Sequence, residues 1–534
     1  MIDHVDAQHA GPIGRNQSTA ADLVDIDETA GGDRHEIAPR NETSHTTVNS
    51  CDHAGMLPPP GASGSPIAAK DSFDVPVFIR WSGPDLKPAR RPMPSRVASV
   101  WHPWPGHGSQ IPASGDYLVT TTWRDVLDAA LSVGRDPTAW LTAVPALAWS
   151  EIVARRSPLV AYLCRSEILS AGTLARHIVE PNVIYTSGTE DTAQSAFGYR
   201  IGMTMAEWAC RGLMGLGPTL HAEARAPVGH GPAWTPSLGL PDLIGYHPAT
   251  GLPWIVEAKG GRRLGLPRLR EGAAQLCRPD LMTGPHVKVL CGTSLTDRLF
   301  MTIDVENHDP GMSPWPGQAE AAETDRILVL AQSRMLTYFS LRALPTDSLR
   351  VLPIGPGVED RRSRRGSAAT VTLLEDDEST QVERQRARQD PSYLQRPGEH
   401  RLDMLTGAVP GTDLVLGMSR RLYAACEELA LQQEQIAVMV DQEIPRPRRD
   451  QADDVADQIN AARRQLLYQE VGRSEARYRT REAFESAQSR NWWSLIDRPA
   501  RLTPEPEQNV LEAATEDTYL ALDARTAELA MPRR

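Results

Sequence analysis

The stretch PDLIGYHPATGLPWIVEAKGG (241–261) carries two carboxylates and an amine inside an apolar run: Asp242, Glu257 and Lys259. HPATG supplies Pro, Thr and Gly where a chain reversal needs them, which predicts a β-hairpin turning near Thr250. Asp242 lies eight residues before that turn and Glu257 seven after it, so cross-strand pairing brings the two acids together. Glu257 and Lys259 are two apart and share a strand face. Neighbouring carboxylates repel, and gathering three charges away from water is costly without a partner that relieves them. A divalent cation that prefers oxygen ligands, Mg²⁺ or Mn²⁺, relieves them directly. Such a cation acidifies a water and binds a phosphate oxygen, while an adjacent ammonium positions the water or stabilises charge developing on phosphorus. Phosphodiester hydrolysis is the reaction this favours.

The surrounding pattern predicts the elements that hold these residues. A long helix is expected over 192–217, starting at a polar cap and ending on glycine. TLHAEARAP, LPDLIGYHP and PWIVEAKGG read as strands, LGLPRLREGAAQLCR (264–278) as a helix after a proline start, and HVKVLCGTSL and RLFMTIDVEN as strands. Helix, three strands, helix and two strands make a mixed α/β domain of roughly 120 residues. Arg262, Arg263, Arg268 and Arg270 follow Lys259 and suit phosphate contacts, although a solvated basic face has the same composition. His247 is expected at the surface of the turn, and His102 and His107 in a proline-rigid loop.

Pro241-Asp242 followed by Glu257-Ala258-Lys259, with fourteen residues between the acids, resembles the PD-(D/E)xK nuclease superfamily. The order of elements over about 190–310 is similar to its restriction-endonuclease-like core. The resemblance implies that Asp242 and Glu257 bind Mg²⁺ or Mn²⁺ and that Lys259 assists catalysis. Many members carry a further acid on the preceding helix, which implies metal ligation by Glu207. RecB-type members carry a glutamine on the helix after the lysine, which implies a catalytic role for Gln275, although position 279 is Pro where those members have an aromatic.

The rest of the chain sets bounds. Its 534 residues carry a net charge of −12, with 56 Lys and Arg against 68 Asp and Glu, which argues against indiscriminate coating of nucleic acid but leaves room for a local basic groove. The 43 prolines and 40 glycines point to long non-globular stretches. Six cysteines without a CxxC pair speak against a thiolate metal centre. No run approaches the ~18–20 apolar residues of a bilayer span, and no secretory pattern is apparent, so a cytoplasmic, non-membrane protein is expected. No GxxxxGK[ST] is present, so any ATP-driven movement has to come from a partner.

The expected organisation is an α/β restriction-endonuclease-like mixed-sheet core flanked by helical N- and C-terminal regions. Residues 1–70 are expected to be disordered, 71–185 mostly helical after a strand near 74–81, and 186–310 nuclease-like. An amphipathic helix (311–345), a charged linker (346–405), a helical hairpin (406–500) and a tail helix (501–534) follow. The functional expectation is a metal-dependent nuclease of DNA, serving defence against foreign DNA or repair. The C-terminal helices are expected to serve a homo-oligomer or a helicase-type partner. The rival expectation is a non-catalytic nucleic-acid-binding or scaffold protein on a degenerate nuclease-like fold.

Overall fold

The computed structural model describes residues between 72 and 523, except most of 83–97, the stretches 101–113, 135–140, 169–175, 223–239, 248–250, 307–317, 357–371, 374–377, 396–400, 444–473, 497–500 and 503–509, and a few single positions. The expectation of disorder over 1–70, the His102/His107 loop and the first half of the second C-terminal helix fall outside the described residues.

The chain is mixed α/β, and its candidate site belongs to an eight-stranded sheet. Its strands are β1 (Ser72–Ser82), β2 (Ala98–Val100), β3 (Gly115–Thr122), β6 (Leu220–His221), β7 (Leu243–Tyr246), β8 (Pro253–Gly261), β9 (Val287–Leu295) and β10 (Leu299–Glu306). A separate hairpin pairs β4 (Leu163–Ile168) with β5 (Arg176–Pro181). In space the large sheet runs β2-β3-β1-β10-β9-β8-β7-β6. The pairs β8–β9 and β1–β10 are parallel, whereas β7–β8 and β9–β10 are antiparallel. Parallel neighbours need a crossover, and helix α5 (Leu266–Leu276) provides the one between β8 and β9.

The other helices preceding the site are α1 (Trp123–Ser132), α2 (Leu147–Tyr162), α3 (Val183–Ser187) and α4 (Asp191–Gly212). Helix α1 begins with a reciprocal cap: Thr122 accepts from the Asp125 N–H and Asp125 accepts from the Thr122 N–H. Helix α4, the long helix expected from its periodicity, packs on one face of β8. Gly198 and Gly202 let the two backbones meet, because a Cβ on Gly202 would lie 2.9 Å from the Gly260 nitrogen. Helix α5 covers the other face with Leu269, Ala273 and Leu276, which pack with Ile244, Ile255 and Leu290.

The first strands depart from the expectation of a mostly helical 71–185. β1 lies beside β10, with Val77 opposite Met301, and β3 pairs with β1. The segment 158–180, expected to be helical, leaves α2 at Tyr162 and forms the β4–β5 hairpin.

The region beyond 345 departs further. The expected charged linker contains β11 (Arg350–Pro356), β12 (Thr372–Leu373) and helix α8 (Glu378–Gln389), which follows α6 (Gln318–Ser333) and α7 (Met335–Ala343). The expected hairpin keeps long helix α9 (Arg420–Glu443), helix α10 (Ser474–Ser486) and the single turn α11 (Trp492–Leu495), but opens with β13 (Arg401–Ala408) and β14 (Leu414–Ser419). The expected tail helix is β15 (Arg501–Leu502), β16 (Val510–Ala514) and β17 (Thr518–Asp523). These strands form a second sheet in the order β12-β16-β17-β14-β13-β11-β15. Among the described residues, no helix is long and apolar enough to cross a membrane.

Candidate active site

β7 and β8 set the register of the site. Leu243 lies opposite Val256 and Ile244 opposite Ile255, so one further step places Asp242 opposite Glu257. The turn that closes the pair has Gly251 at φ 64°, a left-handed conformation that glycine adopts without penalty. Asp242 is fixed from two sides. Its Oδ2 accepts from the Ala258 N–H at 2.8 Å, and its main-chain carbonyl accepts from the Ala222 N–H at 3.0 Å.

Alternation along β8 decides what faces what. Trp254, Val256 and Ala258 join the core beneath α4, while Ile255, Glu257 and Lys259 face α5. Lys259 Nζ donates to Glu257 Oε1 at 2.7 Å and to Gln275 Oε1 at 2.8 Å. Gly272 lies directly above the lysine: a Cβ there would be 3.0 Å from Lys259 Cε. The expected residues Asp242, Glu257, Lys259 and Gln275 therefore form one cluster, on the hairpin and on the helix that crosses it.

Burial, and then the charge of Asp242, push the Glu257 carboxyl up to about 7, against the opposing pull of the Lys259 ammonium. Two acids share one positive charge in a site where the Glu257 side chain is 5% exposed. A hard divalent cation fits that donor set. Mg²⁺ keeps several waters and takes one or two carboxylates plus a substrate phosphate, so Asp242 and Glu257 are the residues that could hold it. Among the described residues there is no group of three His, Cys, Asp or Glu arranged for a metal.

Glu207 is not brought to the others. It lies on α4, on the opposite face of the sheet from Glu257, and is fully buried. Its carboxylate accepts from the Thr219 N–H at 3.1 Å and from the Thr219 hydroxyl, and lies 3.7 Å from Arg211 Nη1. Burial raises its pKa against those partners. These bonds tie the end of α4 to the segment entering β6, which is a structural role. His247 is half-buried rather than a free surface group: it stacks on Trp254 at 5.8 Å, and burial lowers its pKa.

Two features of the site escaped the sequence reading. One is Gly272, whose missing side chain lets α5 close over Lys259; its only sequence signal is the run of three small residues in REGAAQL. The other is the division of the arginines by helix flank, which the spacing of α5 encodes but which has meaning only once Gln275 is seen to face Lys259. Compared with family models, curated proteins and solved structures, the chain matches none.

Proposed function

We propose that this chain is a metal-dependent nuclease that hydrolyses phosphodiester bonds of DNA. The observation that carries the reading is the juxtaposition of Asp242 and Glu257 across β7 and β8, with Lys259 bonded to both Glu257 and Gln275. The hairpin followed by the β8–α5–β9 crossover supports treating this part of the sheet as a restriction-endonuclease-like core.

Asp242 and Glu257 would hold Mg²⁺ or Mn²⁺, which would acidify a water and draw charge from the phosphoryl oxygens. Asp242 is held in place by the Ala258 N–H, so it presents its carboxylate without reorganising. Lys259 keeps a cationic ammonium beside the acids, where negative charge builds on phosphorus. Gln275 accepts from that ammonium and fixes its direction. Defence against foreign DNA or repair is the setting that the family resemblance suggests.

The test is incubation of plasmid and of linear DNA with Mg²⁺ or Mn²⁺, beside Asp242→Ala and Lys259→Ala. Wild type is expected to cut, with each variant slower by ~100-fold or more. Equal cutting by all three proteins, or no cutting by any on DNA and RNA substrates, overturns the proposal.

A further inference from the structure

The positions of β8 that face α5 form a row: Glu257, Lys259 and then Gly261, each about 6.6 Å from the last. The last place in this row has no side chain of its own. The guanidinium of Arg268 occupies it from α5: a Cβ on Gly261 would lie 3.6 Å from Arg268 Nη1. The row thus reads carboxylate, ammonium, guanidinium. Lys259 and Arg268 thus bring two cations to neighbouring places along one strand, one from β8 and one from α5.

Helix geometry separates Arg268 from its neighbours. At 3.6 residues per turn, Arg268 and Gln275 are seven apart and share one flank of α5, while Leu269, Gly272, Ala273 and Leu276 form the buried stripe. Arg270 falls on the opposite flank and points away from Lys259. Arg268 is exposed and, among the described residues, has no ion-pair partner. An unpaired guanidinium kept over a backbone glycine, beside a site that handles a phosphodiester, suits a planar two-donor grip on a phosphate oxygen pair. Glu271 lies further round the helix toward solvent and leaves the row itself free of a second acid.

The geometry points to Arg268 as the residue that holds the phosphate next to the scissile one on the same strand, so that the site selects a polynucleotide over an isolated diester. Arg270 takes no part. The inference rests on the nuclease reading for the identity of the scissile phosphate, but its binding arm can be read without cleavage.

The full chain is titrated against a fluorescein-labelled single-stranded DNA oligonucleotide, with Ca²⁺ in place of Mg²⁺, at several salt concentrations. Arg268→Ala is expected to weaken binding about 10-fold and to lower the slope of log affinity against log salt by about 0.7, the share of one phosphate contact on a single strand. Arg270→Ala is expected to leave both within about two-fold, and Arg268→Lys to restore part of the loss. In Mg²⁺, Arg268→Ala is expected to slow oligonucleotide cleavage while hydrolysing bis(p-nitrophenyl) phosphate, which has no neighbouring phosphate, at the wild-type rate. Equal weakening by Arg268→Ala and Arg270→Ala means a solvated basic face and overturns the inference. So does an unchanged salt slope for Arg268→Ala, or loss of small-diester hydrolysis together with oligonucleotide cleavage. If wild type hydrolyses neither substrate, the nuclease reading fails, and the salt slopes still decide whether Arg268 holds a phosphate.

Discussion

Glu257 ties the stability of the molecule to pH. Its carboxyl titrates near 7 in the folded protein because it is buried and faces Asp242, against an ordinary 4.5. Between those values the folded chain holds a proton that the unfolded chain has released, so stability falls as pH rises through this window. Above it, the full cost is of the order of 3 kcal/mol. In chelator, the wild-type protein is therefore expected to melt at a lower temperature at pH 8 than at pH 5.5 by a margin that Glu257→Gln lacks. Mg²⁺ at pH 8 should recover part of that margin in wild type alone; identical pH profiles for the two proteins would refute the assignment. Gln275 makes a narrower claim, since it holds one of the two bonds on Lys259 Nζ. Gln275→Ala should lower kcat about 10-fold with little change in KM, and less than Lys259→Ala. The grouping of Asp242, Glu257 and Lys259 was legible in the sequence because strand alternation and hairpin register follow from spacing alone. Glu207 was misleading because a helix pattern does not say which face of a sheet the helix will cover, and α4 covers the face away from Glu257.

At the scale of elements, glycines on both sides set how closely α4 packs on β8. A Cβ on Gly260 would lie 2.0 Å from the Gly198 carbonyl oxygen and 2.8 Å from Gly202 Cα, all backbone atoms that cannot swing aside. Gly260→Ala is expected to destabilise by about 2–4 kcal/mol, read from the midpoint of denaturant unfolding. A change below about 0.5 kcal/mol would mean that helix and strand separate freely. The same variant should also lower cleavage, because Lys259 precedes the displaced residue. The helices around the site were legible from their periodicity: 192–217 was expected and Asp191–Gly212 is observed; 264–278 was expected and Leu266–Leu276 is observed. The partner of β1 was not. Val77 pairs with Met301 across more than 200 residues, and nothing local in DVPVFIRW names the strand beside it.

For the whole molecule, the second sheet shows why the C-terminal half was misread. VLEAATEDTYLALDA is rich in Ala, Leu and Glu, strong helix formers, yet it forms β16 and β17. Both faces of β17 are covered: Leu520 and Leu522 join the core beside α1, while Tyr519 and Ala521 join a cluster with Leu352 and Ile354. A strand buried on both faces loses the apolar–polar alternation that would identify it. The helices associated with this sheet are joined to those behind the site by a largely buried ion pair. Arg334, at the break between α6 and α7, donates to both carboxylate oxygens of Asp128 on α1 at 2.8 and 3.1 Å. Arg211 of α4 pairs with the same carboxylate and lies 3.7 Å from Glu207. Burial works to raise the pKa of Asp128, but Arg211 and Arg334 prevail and hold it down to about 2. Its contribution to stability is therefore present above pH ~4 and is lost as pH falls toward 2. Removing Arg334 leaves Asp128, whose side chain is only 15% exposed, with Arg211 alone to offset its charge. Arg334→Met is expected to cost about 2–4 kcal/mol at neutral pH. Adding Asp128→Asn should cost less than the sum of the single changes, because the orphaned charge disappears with its partner. Additive losses, measured as denaturant midpoints for the four members of the cycle, would show that the pair does not couple the two regions.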